Sequence, residues 1–300
     1  MKLSITPISV SKMFRDGKLD AEGFIRYCAD LDVEGVDLLH SQSYPWFWKN
    51  KEHEFKSLPG WIEKAGLMLA AYATGNNFAK LKEDEFLTQV QLVKNALREA
   101  ADLGAPVLRI FGGHHEDNGG EKGILTHNGL ALIMRGIEMC LPTAEQCKVI
   151  MALENHGRLP GHSYEIKKVL DKFNSPYLKC MFDCSNFMGS NMDEPENPLR
   201  AYENLRGNIV HVHVKDSGPA FASNRNKRQG YVAGQGDVPL RQFVALLERD
   251  GYKGFCSLEY EASAIVPEEY GVPQSIEYLK NVRAIHQAIG AFGRQKQEAD

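Results

Sequence analysis

The chain has 300 residues, 43% of them hydrophobic and 25% charged, and a formal net charge of −4. That length holds one or two domains with a large core, and it suits a single α/β barrel. The negative balance, with no basic patch, speaks against a general affinity for nucleic-acid phosphates. NRNKRQ at 224–229 is too short to change that and reads as a solvated loop.

From the N-terminus, LSITPIS (3–9) reads as the first strand, followed by a helix over 20–31. GVDLLHS (35–41) precedes a helix over 53–65, and LMLAAYAT (67–74) precedes one over 83–103. VLRIFGG (107–113) leads to a helix over 128–147, and VIMALENHG (149–157) to one over 163–173. LKCMFDCSN (178–186) is followed by 196–206, IVHVHVKD (209–216) by 238–250, and FCSLEYEA (255–262) by 273–290. Asp84 and Glu85 load the first turn of the third helix, and Gly104 with Pro106 ends it. Asp237, ahead of Val238 and Pro239, is placed to cap the seventh.

Strict β-α alternation of this length predicts a parallel sheet closed into a (β/α)8 TIM barrel, read as one domain over residues 1–300. A doubly wound open sheet would carry a Gly-rich phosphate turn after its first strand, and ITPISVSKMF has none. The six cysteines form no C-x-x-C pair, and several lie in apolar runs, as free buried thiols do in a reducing compartment. MKLSITPISV lacks a secretory apolar region, and no apolar run approaches the roughly 18 residues of a membrane span. The expectation is a cytoplasmic protein with no membrane or nucleic-acid partner.

The strand ends carry the chemistry. Residues two apart share a strand face. Glu154 and His156 therefore share one face, as do Asp183 and Ser185, then His211, His213 and Lys215, then Glu259 and Glu261. Val210, Val212 and Val214 are expected to face the helices. Barrel enzymes build their sites at the C-terminal strand ends, so four consecutive strands aim carboxylate or imidazole groups into one mouth. Such a cluster calls for a counterion, and hard oxygen ligands with one imidazole suit Mn²⁺ or Mg²⁺, with Co²⁺ and Zn²⁺ as alternatives. Spacing alone leaves open which of His211 and His213 ligates.

ALENHG, FDCSN, HVHVKD and SLEYE resemble the strand-end motifs of the sugar phosphate isomerase/epimerase family, in the xylose-isomerase-like TIM-barrel superfamily. That superfamily also holds ketose 3-epimerases, hydroxypyruvate isomerase, inosose dehydratase and an apurinic endonuclease. The resemblance covers essentially the whole chain and implies metal ligation by Glu154, Asp183, His213 and Glu259. Epimerases commonly carry a His three residues after the metal Asp, where this chain has Asn186. They also place an Arg six residues after the metal His, where it has Pro219. The endonuclease branch needs a His-rich three-zinc set that this chain lacks.

The resulting expectation is a divalent-metal-dependent isomerase or epimerase of a sugar or polyol ketone, working through an enediolate. Glu154 and Glu259 would shuttle the proton as catalytic residues. His156, Asn186, His211, Lys215, Arg109 and His114 are the substrate-contact candidates. Arg109 is equally readable as the partner of a barrel acid, and Tyr44, Trp46, Phe47 and Trp48 after His40 as packing. AGQG at 233–236 lies where many barrels bind phosphate but reads better as a plain loop. The rivals are a metal-dependent lyase of the inosose dehydratase type and a non-catalytic sugar-binding barrel. Substrate identity, phosphorylation, native metal and homo-oligomeric state are not legible in the residues.

Overall fold

The computed structural model describes residues 1–113, 122–156, 159–189, 195–220 and 228–297. His114, His115 and Gly157 lie outside the described residues. The apolar runs form short strands: β1 (Lys2–Ile5), β2 (Gly35–Leu39), β3 (Met68–Ala73), β4 (Val107–Phe111) and β5 (Ile150–Glu154). β6 (Leu178–Asp183), β7 (Ile209–Val214), β8 (Asp216–Pro219), β9 (Arg228–Tyr231) and β10 (Phe255–Leu258) follow. Eight of them close a barrel in the order β1-β10-β7-β6-β5-β4-β3-β2, each pair parallel. β8 and β9 form a separate antiparallel pair, which the alternation of apolar runs does not reveal.

The helices are α1 (Ser11–Arg15), α2 (Ala21–Asp30), α3 (Lys51–Lys64), α4 (Glu83–Leu103), α5 (Lys122–Cys147) and α6 (Ser163–Phe173). α7 (Pro198–Leu205), α8 (Leu240–Arg249) and α9 (Glu268–Gln297) complete the set. No helix among the described residues is long and apolar enough to cross a membrane. α4 buries Phe86, Val90, Val93, Leu97 and Ala100, the three-to-four spacing of one helical face, and ends at Gly104 with φ +77°. α2 starts where the Asp20 side chain accepts the Gly23 N–H. α8 starts at Leu240, and the Asp237 carboxylate pairs with Arg228 instead of capping it. Arg228 and Gln229 belong to β9 and not to a loop, because the Arg228 guanidinium also bonds Ser217 on β8.

Outward strand residues pack on the helices: Phe182 of β6 stacks on Phe243 of α8, with ring centroids 5.1 Å apart. The floor of the barrel interior is small and apolar, made of Ala71, Val107, Ala152 and Met181. Val210 packs against this floor instead of facing only the helices, where the β6–β7 register skips between Cys180 and Met181. Above it the interior turns polar, and that layer is the site. All six cysteines are free.

Candidate active site

Strand register brings the polar ends together. Glu154 is the last residue of β5, Asp183 the last of β6, His213 the penultimate residue of β7, and Glu259 follows β10 directly. Asp183 pairs with His213 and His213 with Ser257, which puts these side chains on one interior face. One ligand atom from each of Glu154, Asp183, His213 and Glu259 falls within a mutual 4.8 Å, and all four residues are buried.

A layer below, Asp37 of β2 accepts from His211 Nε2 at 3.0 Å and lies 3.5 Å from His213 Nε2. Both histidines are 1% exposed. Of the two, His213 turns Nδ1 into the cluster, 3.6 Å from Glu259 and 3.9 Å from Glu154. His211 is bonded to Asp37, and Asp37, His211 and His213 form a second buried group of possible ligands beside the first. Asp37 was missed in the sequence reading, although an acid inside the run GVDLL is a signal in itself: a buried carboxylate needs a partner.

Cations occupy the walls. Lys215 Nζ sits 2.8 Å from Glu259 Oε2, 3.2 Å from Glu261 Oε2 and 3.3 Å from Asp183 Oδ2. Arg109 is 2% exposed. It donates to Tyr44 Oη at 2.8 Å and approaches Glu154 Oε2 at 3.4 Å. Its guanidinium also lies 3.9 Å from the Phe111 ring centroid, and His156 stacks on the same Phe111 at 4.1 Å. Tyr44 therefore reaches the site through Arg109. Phe47 and Trp48 are packing residues, as Trp48 Nε1 bonds the Leu39 carbonyl. Asn186 donates Nδ2 to Glu154 Oε1 at 3.2 Å, at the position where epimerases commonly carry a His. His40 turns away from the mouth toward Ser43 and Glu99.

The AGQG loop binds a carboxylate of the protein itself. Asp216 accepts N–H groups from Gly234, Gly236 and Val238, so these donors are already used. A Cβ at Gly236 would collide with the Asp216 carboxylate. A surface cavity of about 1050 Å³ lies outside the barrel against α6, α7 and α8, away from this cluster.

The charges explain what the site accommodates. Asp37, Glu154, Asp183 and Glu259 are four buried carboxylates, facing two permanent cations, Arg109 and Lys215. Two negative charges remain, which a divalent cation would balance. Without one the titrating groups compensate. Burial would lower His213, but Glu259, Asp37 and Glu154 raise it to about 9. Burial raises Asp183 to about 7 against the pull of Lys215. Burial works against the ionised form of Glu259 too, yet Lys215 and His213 hold it well below the usual carboxylate range. The two imidazoles do the same for Asp37.

Glu154 Oε2, Asp183 Oδ2 and His213 Nδ1 are buried with no hydrogen-bond partner among the described residues. Stranded buried polar atoms cost on the order of 1–3 kcal/mol each. These three belong to residues that share one cluster with Glu259, and its oxygen donors with one imidazole fit a hard divalent cation.

The family described as xylose isomerase-like TIM barrel matches residues 25–282. An inosose dehydratase of Clostridium botulinum is 23% identical over 190 residues, an alignment that spans 59% of each chain. A D-psicose 3-epimerase of Clostridium cellulolyticum, solved with D-tagatose, superposes with a TM-score of 0.71 at 15% identity, over 94% of this chain and 99% of that one. A 3-keto-D-glucoside 4-epimerase of Escherichia coli gives 0.70 at 14% identity, over 87% and 94%.

Proposed function

The chain belongs to the xylose isomerase-like TIM barrel family and has the fold of a sugar isomerase/epimerase-like enzyme, and we propose that it is a divalent-metal-dependent isomerase or epimerase of a sugar or polyol ketone. The observation that carries this reading is the convergence of Glu154, Asp183, His213 and Glu259 in one buried cluster, where Glu154 Oε2, Asp183 Oδ2 and His213 Nδ1 have no hydrogen-bond partner among the described residues. Mn²⁺ or Mg²⁺ is the expected ion, held by these four residues. When bound, it supplies Lewis acidity to a ketone oxygen and the neighbouring hydroxyl, which acidifies the adjacent C–H.

The protein's own groups do the rest. Glu154 ends β5 and Glu259 follows β10, with β6 and β7 between them in the barrel order, so they approach a bound substrate from different sides. One, ionised, takes the proton from carbon to give an enediolate, and the other, carrying a proton at the start, gives it to the opposite face or the neighbouring carbon, so the two exchange protonation states. Lys215 and His213 keep Glu259 ionised. Arg109 and Lys215 hold the two carboxylates in place and offset negative charge that builds up on the substrate oxygens. His156, on the rim against Phe111, is positioned for a substrate hydroxyl.

A second reading is a lyase in which the same enediolate expels a β-hydroxyl, favoured by the likeness to an inosose dehydratase. The test is a screen of ketoses, inososes and their phosphates with Mn²⁺-loaded protein in D₂O, read by NMR. Deuterium at the carbon beside the ketone with no loss of water supports the isomerase or epimerase; loss of water selects the lyase. No exchange on any member of the panel, with metal bound, sinks both.

A further inference from the structure

We propose that Asn155 is a positioning residue for the metal centre: its side-chain amide replaces a missing strand pair and fixes the backbone of Asp183. This rests on the metal-dependent reading above. The β5–β6 ladder ends at Glu154 paired with Met181, two residues short of Asp183. Beyond that point Asn155 supplies both halves of a peptide pair. Its Nδ2 donates to the Asp183 carbonyl at 2.9 Å, and its Oδ1 accepts the Asp183 N–H at 2.8 Å.

On its other edge, Asp183 is paired with His213 of β7. Its own Oδ1 then accepts the Ser185 and Asn186 N–H groups at 2.8 and 2.9 Å. Main chain and one carboxylate oxygen are thereby held, and Oδ2 is left facing the cluster. Asn155 is 1% exposed and sits one residue after Glu154, so a single dipeptide provides one ligand and orients the next. Neighbours that orient ligands commonly matter 10–100-fold for metal affinity.

The same fold contains an internal control. Asn76, after β3, clamps Phe111 at the end of β4 in the same way, with Nδ2 to the carbonyl at 2.8 Å and Oδ1 from the N–H at 3.0 Å. It is equally buried, and Phe111, although it pairs with Glu154 in the β4–β5 ladder, offers no ligand atom itself. If the amide clamps only stabilise strand ends, the two asparagines are equivalent. If Asn155 positions the centre, they are not.

The experiment compares the parent, Asn155→Ala, Asn155→Ser and Asn76→Ala, each full length and stripped of metal. Mn²⁺ affinity is measured by calorimetry and by the Mn²⁺ electron paramagnetic resonance signal, and the metal-free Tm by scanning calorimetry. Both alanine variants should lower Tm by comparable amounts. Asn155→Ala should weaken Mn²⁺ binding by about 10–100-fold, while Asn76→Ala stays within about threefold of the parent. Asn155→Ser, too short to span both Asp183 groups, should shift the same way and serves if the alanine variant does not fold. A parent that binds no Mn²⁺ ends the metal reading itself. A parent that binds it, with position-155 variants at parent affinity or no weaker than Asn76→Ala, overturns the positioning role alone.

Discussion

Replacing Glu154 or Glu259 by Gln separates ligation from proton transfer, because the amide oxygen still ligates but the group no longer accepts a proton. The structure indicates how little else should change. In Glu259→Gln the Lys215 ammonium loses the negative charge of one partner at 2.8 Å and keeps Glu261 at 3.2 Å and Asp183 at 3.3 Å. In Glu154→Gln the Arg109 guanidinium keeps Tyr44 and the Phe111 ring, and Asn186 still has an amide oxygen to bond. Each variant should therefore cost about 1–3 kcal/mol of stability, within the 5–15 kcal/mol margin of a typical domain. Loss of a general base should lower kcat by at least about 100-fold, or about 2.7 kcal/mol of barrier, while metal affinity falls less. The assay is exchange of the substrate's α-hydrogen with solvent deuterium, and each variant should lose exchange from one face. If both variants exchange at the parent rate, the carboxylates are ligands only and another group moves the proton.

His156→Ala should reduce turnover while metal content stays near one per chain by elemental analysis; loss of the metal would place His156 among the ligands. Lys215→Met should tighten Mn²⁺ binding while lowering turnover, because the ammonium sits against oxygens of both Asp183 and Glu259 that face the cation; weaker binding would show that Lys215 is needed to assemble the site. For pH, the raised His213 favours the metal-free fold fully below about pH 6.5, and that contribution is lost as pH rises through about 9. Tm of the stripped protein should accordingly fall across that window. Mn²⁺ affinity should rise about tenfold per pH unit as one proton is displaced, and a pH-independent affinity measured by calorimetry would refute a protonated His213.

The barrel was legible because its strands are short apolar runs at regular spacing, and because the ends of β5, β6, β7 and β10 break that apolarity with groups that have no use in a core. What the pattern could not carry was depth. His211 and His213 stand two apart on one face and look equivalent in the sequence, yet both rings meet Asp37 and only His213 also turns Nδ1 to Glu154 and Glu259. The shared contact depends on β2, whose Asp37 reaches across the barrel from 174 residues away in the chain. The hairpin of β8 and β9 was hidden for a related reason. Ser217, Arg228 and the glycines of AGQG are loop-like by composition, and only the contacts of Asp216 and Arg228 organise them.

Asn155 shows the same limit from the other side. Within MALENHG it stands between Glu154 and His156 as another polar group that a strand has no reason to carry. Its function is not chemistry at the mouth but the hydrogen bonds that β5 stops making when it ends. Ser9 does the equivalent at Glu259, donating its hydroxyl to the Leu258 carbonyl at 2.7 Å and accepting the Tyr260 N–H at 2.8 Å. The ladders of this barrel end at or just beyond its ligands, so some backbone edges there, such as the β5-facing edge of Asp183, lack a strand partner. Side chains such as Asn155 and Ser9 extend the pairing by one residue at that edge. A polar residue next to a ligand in sequence, or just beyond the neighbouring strand, is thus explained by the backbone it holds before any contact with substrate is invoked.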